Sequence, residues 1–203
     1  MITNNNVIPE QESLYDYLLV VNPGTHINND VMALKRMIAQ ELGINNTQFS
    51  QANISLFRSV FPVRFEDDFV TLLDNIAGRQ SGFTLYTSRF DHFEQQHDKR
   101  TIFINVANPK PIVELHKRIL QEFDIKSSPY KPHITIARGM NTREFDQVYD
   151  HFYNQVFVRS FQCKSFTLLR KPAAGGQYET VKEFFFGDEA QRGHEHTLFN
   201  YAA

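Results

Sequence analysis

Pro132–Arg138 reads PHITIAR, and Ala52–Arg58 reads ANISLFR. In a strand, residues at i and i+2 share a face. His133 and Thr135 therefore stand on one side of the first segment, while Ile134 and Ile136 enter the core. Asn53 and Ser55 repeat the pattern 80 residues earlier, again polar at i and i+2 between apolar neighbours. Pro132 has no backbone donor to give to a ladder and favours an edge or the start of a strand.

Outward from these two segments, the chain repeats itself. VVNP at 20–23 is matched by VANP at 106–109. The helical stripe Val31, Leu34, Ile38, Leu42 is matched by Ile112, Leu115, Ile119, Phe123, with the same steps. Phe69, Leu72, Leu73 and Ile76 are matched by Phe145, Val148, Tyr149 and Phe152, and FTLY at 83–86 by FTLL at 166–169. Each copy reads β, α, β, α, β, over about 17–87 and 101–170. Four matches in one order mark a duplication rather than chance. Ser88–Lys99 between the copies is polar and reads as a loop. After the second copy a closing strand over 180–186 returns across AAGGQ, where Gly175 and Gly176 supply turn geometry. The expected architecture is α+β, with two pseudo-symmetric lobes of largely antiparallel sheet about a central cleft. Residues 1–187 form one bilobal domain, and 188–203 form a tail.

Composition narrows the function. The chain has 203 residues, 41% of them hydrophobic, enough for a substantial core. Its formal charge of −2 argues against nucleic-acid binding through a broad basic face, but leaves room for a local phosphate site. No apolar run approaches the roughly 18 residues of a membrane span, and the opening MITNNNVIPEQES lacks the pattern of a secretory signal. Cys163 is the lone cysteine, so no internal disulfide forms and a reducing, cytoplasmic location is expected.

The chemistry-bearing pairs fit a phosphate. A hydroxyl such as that of Thr135 donates to a phosphate oxygen, while an imidazole such as His133 moves a proton at an attacking or leaving oxygen. The unperturbed pKa of histidine, near 6.5, serves both tasks at neutral pH. If the copies pack about a twofold axis, Asn53/Ser55 and His133/Thr135 face each other across a cleft.

NISLF, PHITIAR and the closing SFTLLRKPAAGGQYETVKEF together resemble the two-histidine (2H) phosphoesterase superfamily, most of all its 2′-5′ RNA ligase/cyclic phosphodiesterase branch. The resemblance covers Tyr15 to Gly187. It implies two α+β lobes with helices outside and the active site between them. It also implies one histidine as base and one as acid on a 2′,3′-cyclic phosphate or 2′-5′ phosphodiester, and hydroxyls on the phosphate, with no metal or other cofactor. His133 and Thr135 fill one motif, and Ser55 fills half of the other. Asn53 stands where the family has its first histidine. An amide has no proton to exchange near neutral pH, and losing one acid–base group costs about 10²–10⁴-fold in rate.

The expected ligand is therefore a nucleotide or RNA-end phosphate, bound by a monomer, with weak phosphodiesterase activity or binding alone. A vestigial cleft is the third reading, against which the retention of Ser55, Thr135 and His133 argues. Tyr130 and Tyr178 are candidates to stack a base, and Arg138 is a candidate phosphate contact. At i+5 from the first motif residue, Arg58 and Arg138 face the opposite side if the strands stay regular, and reach phosphate only after a bend. His26, before the first helix, and His92 and His97, in the connector, are candidates to replace the missing histidine. His116 reads as a flanking and His151 as a helical residue, both structural. His194 and His196 lie in the tail, where two histidines alone make no metal site. No phosphate-cradling glycine loop or nucleophile elbow is present, and Cys163 has no positive neighbour in a motif that would activate it.

Overall fold

The computed structural model describes residues 12–43, 50–126 and 129–187. Among them run β1 (Leu14–Val21), α1 (Thr25–Leu42), β2 (Ile54–Pro62), α2 (Glu66–Gly78), β3 (Phe83–Glu94) and β4 (Arg100–Val106). There follow α3 (Lys110–Glu122), β5 (His133–Met140), α4 (Thr142–Phe152), β6 (Ser160–Cys163), β7 (Ser165–Pro172) and β8 (Glu179–Phe185).

Local chemistry sets the helices. α1 ends at Gly43, whose φ of 69° is the left-handed geometry that glycine adopts without a Cβ clash. Glu66, Asp67 and Asp68 fill the first turn of α2, where negative charge meets the positive end of the helix dipole. α4 opens with a reciprocal cap: the Asn141 side chain accepts from the Glu144 amide at 3.0 Å, and Glu144 accepts from the Asn141 amide at 2.8 Å. Such caps contribute about 1 kcal/mol. Phe69/Leu73/Ile76, Ile112/Leu115/Ile119 and Phe145/Val148/Phe152, from the stripes read in the sequence, are buried on α2, α3 and α4, and Ala77, His116 and Leu120 widen the buried faces.

The strands form two antiparallel sheets, ordered β2-β1-β7-β8 and β5-β4-β3-β6. The sheets do not follow the two copies. β3, the third strand of the first copy, pairs with β4, while β7, the third strand of the second, pairs with β1. Each copy lends its last strand to the other's sheet, so the halves are locked together through backbone hydrogen bonds as well as side chains. One hydrophobic cluster runs through both, from Tyr17 and Leu19 on β1 to Ile102 and Ile104 on β4. Tyr17 stacks on Phe61 at 3.9 Å, and Phe69 stacks on Phe123 at 4.6 Å, joining α2 to the end of α3.

Two elements differ from the sequence reading. The segment read as a loop from Ser88 is strand as far as Glu94. A register shift between Thr87 and Phe90 breaks the period-2 alternation there and hides the strand's continuation. The turn to β4 is confined to the residues after it, where His97 and Asp98 hold φ of 59° and 54°. β6 is absent from the sequence reading because its four residues are too few to show a period. His194 and His196 lie outside the described residues. No described helix is long and apolar enough to cross a membrane.

Candidate functional site

β2 and β5 are each the edge strand of their sheet, and they approach one another across the middle of the molecule. Pro132 immediately precedes β5, at the edge-strand start that its missing donor allows. Between these edges lies a cavity of about 390 Å³, lined by Asn53, Ser55, His133 and Thr135. The four polar side chains of the two motif segments thus share one space.

The same cavity gathers four cations: Lys35 from α1, Arg58 from β2, Arg138 from β5 and Lys171 from β7. Among the described residues no Asp or Glu lines it. In a chain of net charge −2, this is a local concentration of positive charge around the cavity.

Arg58 and Arg138 arrive there through a pair of bulges. Opposite β2, Leu19 pairs with Phe57 and Val20 with Ser55, which leaves Leu56 as an extra residue. Opposite β5, Ile102 pairs with Ala137 and Phe103 with Thr135, which leaves Ile136 extra. One inserted residue resets the alternation. Each arginine, an odd number of residues beyond the motif hydroxyl, is thereby brought to the hydroxyl's side. This is the bend that a regular strand lacks.

Arg58 is further aimed by Asp16 on β1, whose oxygens accept from its Nε at 2.8 Å and from a terminal nitrogen at 2.7 Å. The Tyr178 hydroxyl also donates to Asp16, at 2.8 Å, and Lys171 stands 3.7 Å away. The Arg58 hydrogen bonds hold the Asp16 carboxyl below its ordinary range, against the opposing pull of burial. Burial and the Asp16 bond push the Tyr178 hydroxyl up to about 12, so it stays protonated.

His133 is held as a neutral base. Its Nδ1 lies 2.8 Å from the Lys131 carbonyl. A carbonyl only accepts, so Nδ1 carries the proton and Nε2 is the basic nitrogen. Phe93 and Phe103 wall the ring at 5.0 and 4.9 Å. Burial lowers its pKa below 6.5; Arg138 and Lys131 push the same way, and the Lys131 hydrogen bond opposes them.

A second cavity, of about 560 Å³, adjoins the first and shares Ser55, Arg58 and His133 with it. Phe57, Phe93 and Tyr130 supply flat apolar walls there. The Tyr130 hydroxyl donates to the Ser55 carbonyl at 2.9 Å, and its ring stacks on His116 at 4.0 Å. His116 is buried rather than flanking solvent, and its Nδ1 donates to the Leu56 carbonyl at 2.7 Å. Together Tyr130 and His116 brace the backbone of the bulged segment from behind.

None of His26, His92 and His97 lines either cavity. His26 is exposed in the first turn of α1, near Asp30. His92 lies on β3, packed against Phe145 and Tyr149 of α4. His97 sits in the exposed β3–β4 turn, and His151 is exposed on α4. Cys163 is buried, which pushes its thiol up to about 12 and leaves it unreactive. Among the described residues no cluster of His, Cys, Asp and Glu could hold a metal ion.

Lys35, Asp16 and Lys171 are site residues that the sequence reading misses. Lys35 carries a signal, because a lysine at i+4 from Val31 and i−3 from Ile38 lies within the apolar stripe of α1. Asp16 and Lys171 carry none, since their meeting with Arg58 depends on pairings between distant strands.

A family model described as the 2′-5′ RNA ligase superfamily matches residues 23–174. Among solved structures, LigT of E. coli in its apo form is similar over 86% of this chain and 98% of its own, at 16% identity and a TM-score of 0.63. TT0787 of Thermus thermophilus is similar over 85% of this chain and 98% of its own, at 15% identity and a TM-score of 0.63. Usb1 of Kluyveromyces marxianus is similar over 82% and 97%, at 10% identity and a TM-score of 0.51. These structures share the fold. No curated protein matches the chain in sequence.

Proposed function

The chain belongs to the 2′-5′ RNA ligase superfamily, and from that premise we propose that it is a slow phosphodiesterase acting on RNA ends or on small 2′,3′-cyclic or 2′-5′-linked nucleotides. The observation that carries this reading is the convergence of Ser55, Thr135 and His133 on one cavity rimmed by four cations. The cations hold the phosphate, and the two hydroxyls donate to its non-bridging oxygens. His133 Nε2 takes the proton from an attacking water, its neutral form assured by the lowered pKa. Asn53 gives a neutral hydrogen bond to the ribose or phosphate. The aromatic walls of the adjoining cavity, Tyr130 and Phe93 among them, suit a base, whose face on an aromatic ring is worth about 1–3 kcal/mol. Structures of E. coli LigT with phosphate, ATP and 3′-AMP support a nucleotide as the ligand class.

A second reading, binding without turnover, is favoured by one observation: Asn53 has no proton to exchange, and no histidine from elsewhere in the described chain lines the cavity to replace it. Turnover of 2′,3′-cyclic nucleotides and 2′-5′ dinucleotides by the native chain and by His133→Ala separates the two. Slow turnover that His133→Ala abolishes supports the enzyme; tight binding with no product in either protein supports the receptor.

A further inference from the structure

The cavity holds a group that no histidine motif accounts for. Lys35 is 2% exposed, yet it lines the same cavity as Asn53, His133 and both hydroxyls. Its ammonium donates to the Ser50 carbonyl and to Ser50 Oγ, each at 2.8 Å. These bonds use two of its three protons. No carboxylate among the described residues lines the cavity to neutralise it: Asp16, behind the wall, pairs with Arg58 and Lys171, and Arg138 shares the space with Lys35. A buried ammonium among other cations is costly unless an anion joins them. Tying down residue 50 would need only a neutral donor, so the charge calls for a separate explanation.

We infer that Lys35 is the proton donor to the leaving oxygen, replacing the acid that Asn53 cannot be. This role rests on the phosphodiesterase reading and adds its second proton carrier. Water attacks phosphorus and gives its proton to His133 Nε2. The bond from phosphorus to the ribose oxygen breaks, and the third Lys35 proton passes to that oxygen. The phosphomonoester leaves, and solvent returns the proton from His133 to Lys35, which restores both groups. Burial, assisted by Arg138, lowers the Lys35 ammonium to about 8. At that value it is mostly protonated at neutral pH and yields its proton far more readily than an ordinary lysine. Of the elements packed on α1, β5 presents Arg138 to it, and α4 brings no charge that acts on it among the described residues.

The test compares two substrates: a nucleoside 2′,3′-cyclic phosphate, whose ribose oxygen leaves as an alcohol, and a nucleoside 4-nitrophenyl phosphodiester, whose phenolate leaves without a proton. Lys35→Arg keeps the charge but holds its proton too tightly to donate it. It is expected to lower kcat on the cyclic phosphate by about 10²–10⁴-fold. On the nitrophenyl ester the loss in kcat should be smaller by about tenfold or more, since that step needs no acid. Equal losses on both substrates, or full activity of Lys35→Arg on the cyclic phosphate, overturn the role. The native chain gives a check that needs no variant. Its rate on the cyclic phosphate should fall as pH rises through about 8, where Lys35 loses its proton, and its rate on the nitrophenyl ester should not. An identical alkaline limb on both substrates also overturns the role. Native protein that hydrolyses neither ester removes the phosphodiesterase reading itself, and this role with it.

Discussion

Asp16 grips Arg58 through both carboxylate oxygens, at 2.8 and 2.7 Å, from a side chain that is itself 5% exposed. The arginine is 61% exposed and lines the cavity, so a buried acid fixes the direction of an exposed cation. Asp16→Asn keeps the shape but removes the charge. Affinity for a nucleoside monophosphate, read by calorimetric titration, is expected to fall about 3–10-fold, and stability to fall about 1–3 kcal/mol. The carboxyl titrates lower in the folded chain than its ordinary 3.8. Its contribution is therefore complete above that value and is lost as pH falls through the lower folded one. As pH falls below 3.8, the native Tm should drop more steeply than that of the variant.

In the proposed role as base His133 would act only when neutral, and burial favours the neutral form. Acidification should therefore leave activity untouched until below pH 6.5, where protonation of Nε2 removes the base. A rate profile whose acid limb lies above 6.5 would contradict the assignment. His133→Ala should lose about 10²–10⁴-fold in kcat at neutral pH.

Asn53 stands at the cavity wall beside Ser55. Restoring an imidazole there supplies an exchangeable proton where the amide has none. In the Lys35→Arg background, where the proposed acid is lost, Asn53→His is expected to raise kcat on a 2′,3′-cyclic nucleotide by about tenfold or more. Unchanged kcat with unchanged ligand affinity would show that position 53 does not face the reacting bond.

Tyr130→Phe removes the hydrogen bond to the Ser55 carbonyl and keeps the ring stacked on His116. The expected loss is about 1 kcal/mol, a Tm drop of about 2–4 °C. Thermal melts of the two proteins read it directly.

The motif residues are legible in the sequence, because each pair is two positions apart and needs only local alternation. His133/Thr135 and Asn53/Ser55 meet as their spacing implies. The arginines are harder. Counting by twos puts Arg58 and Arg138 on the wrong face, since the extra residues Leu56 and Ile136 are visible only against their partner strands. The exchange of β3 and β7 between sheets is equally hidden, because FTLY and FTLL look alike whichever strand they pair with. Lys35 is readable as a charge within an apolar stripe, but a stripe alone does not say that it borders a cavity.

If two strands from opposite halves hold one phosphate between them, both motif hydroxyls contribute to its affinity. Titration of a nucleoside 2′-phosphate into the native chain, Ser55→Ala, Thr135→Val and the double variant tests it most directly. Each single change is expected to weaken binding about 3–10-fold. The double variant is expected to depart from additivity by about 0.5 kcal/mol or more, as groups sharing one ligand do. Binding that ignores either hydroxyl would place the phosphate elsewhere.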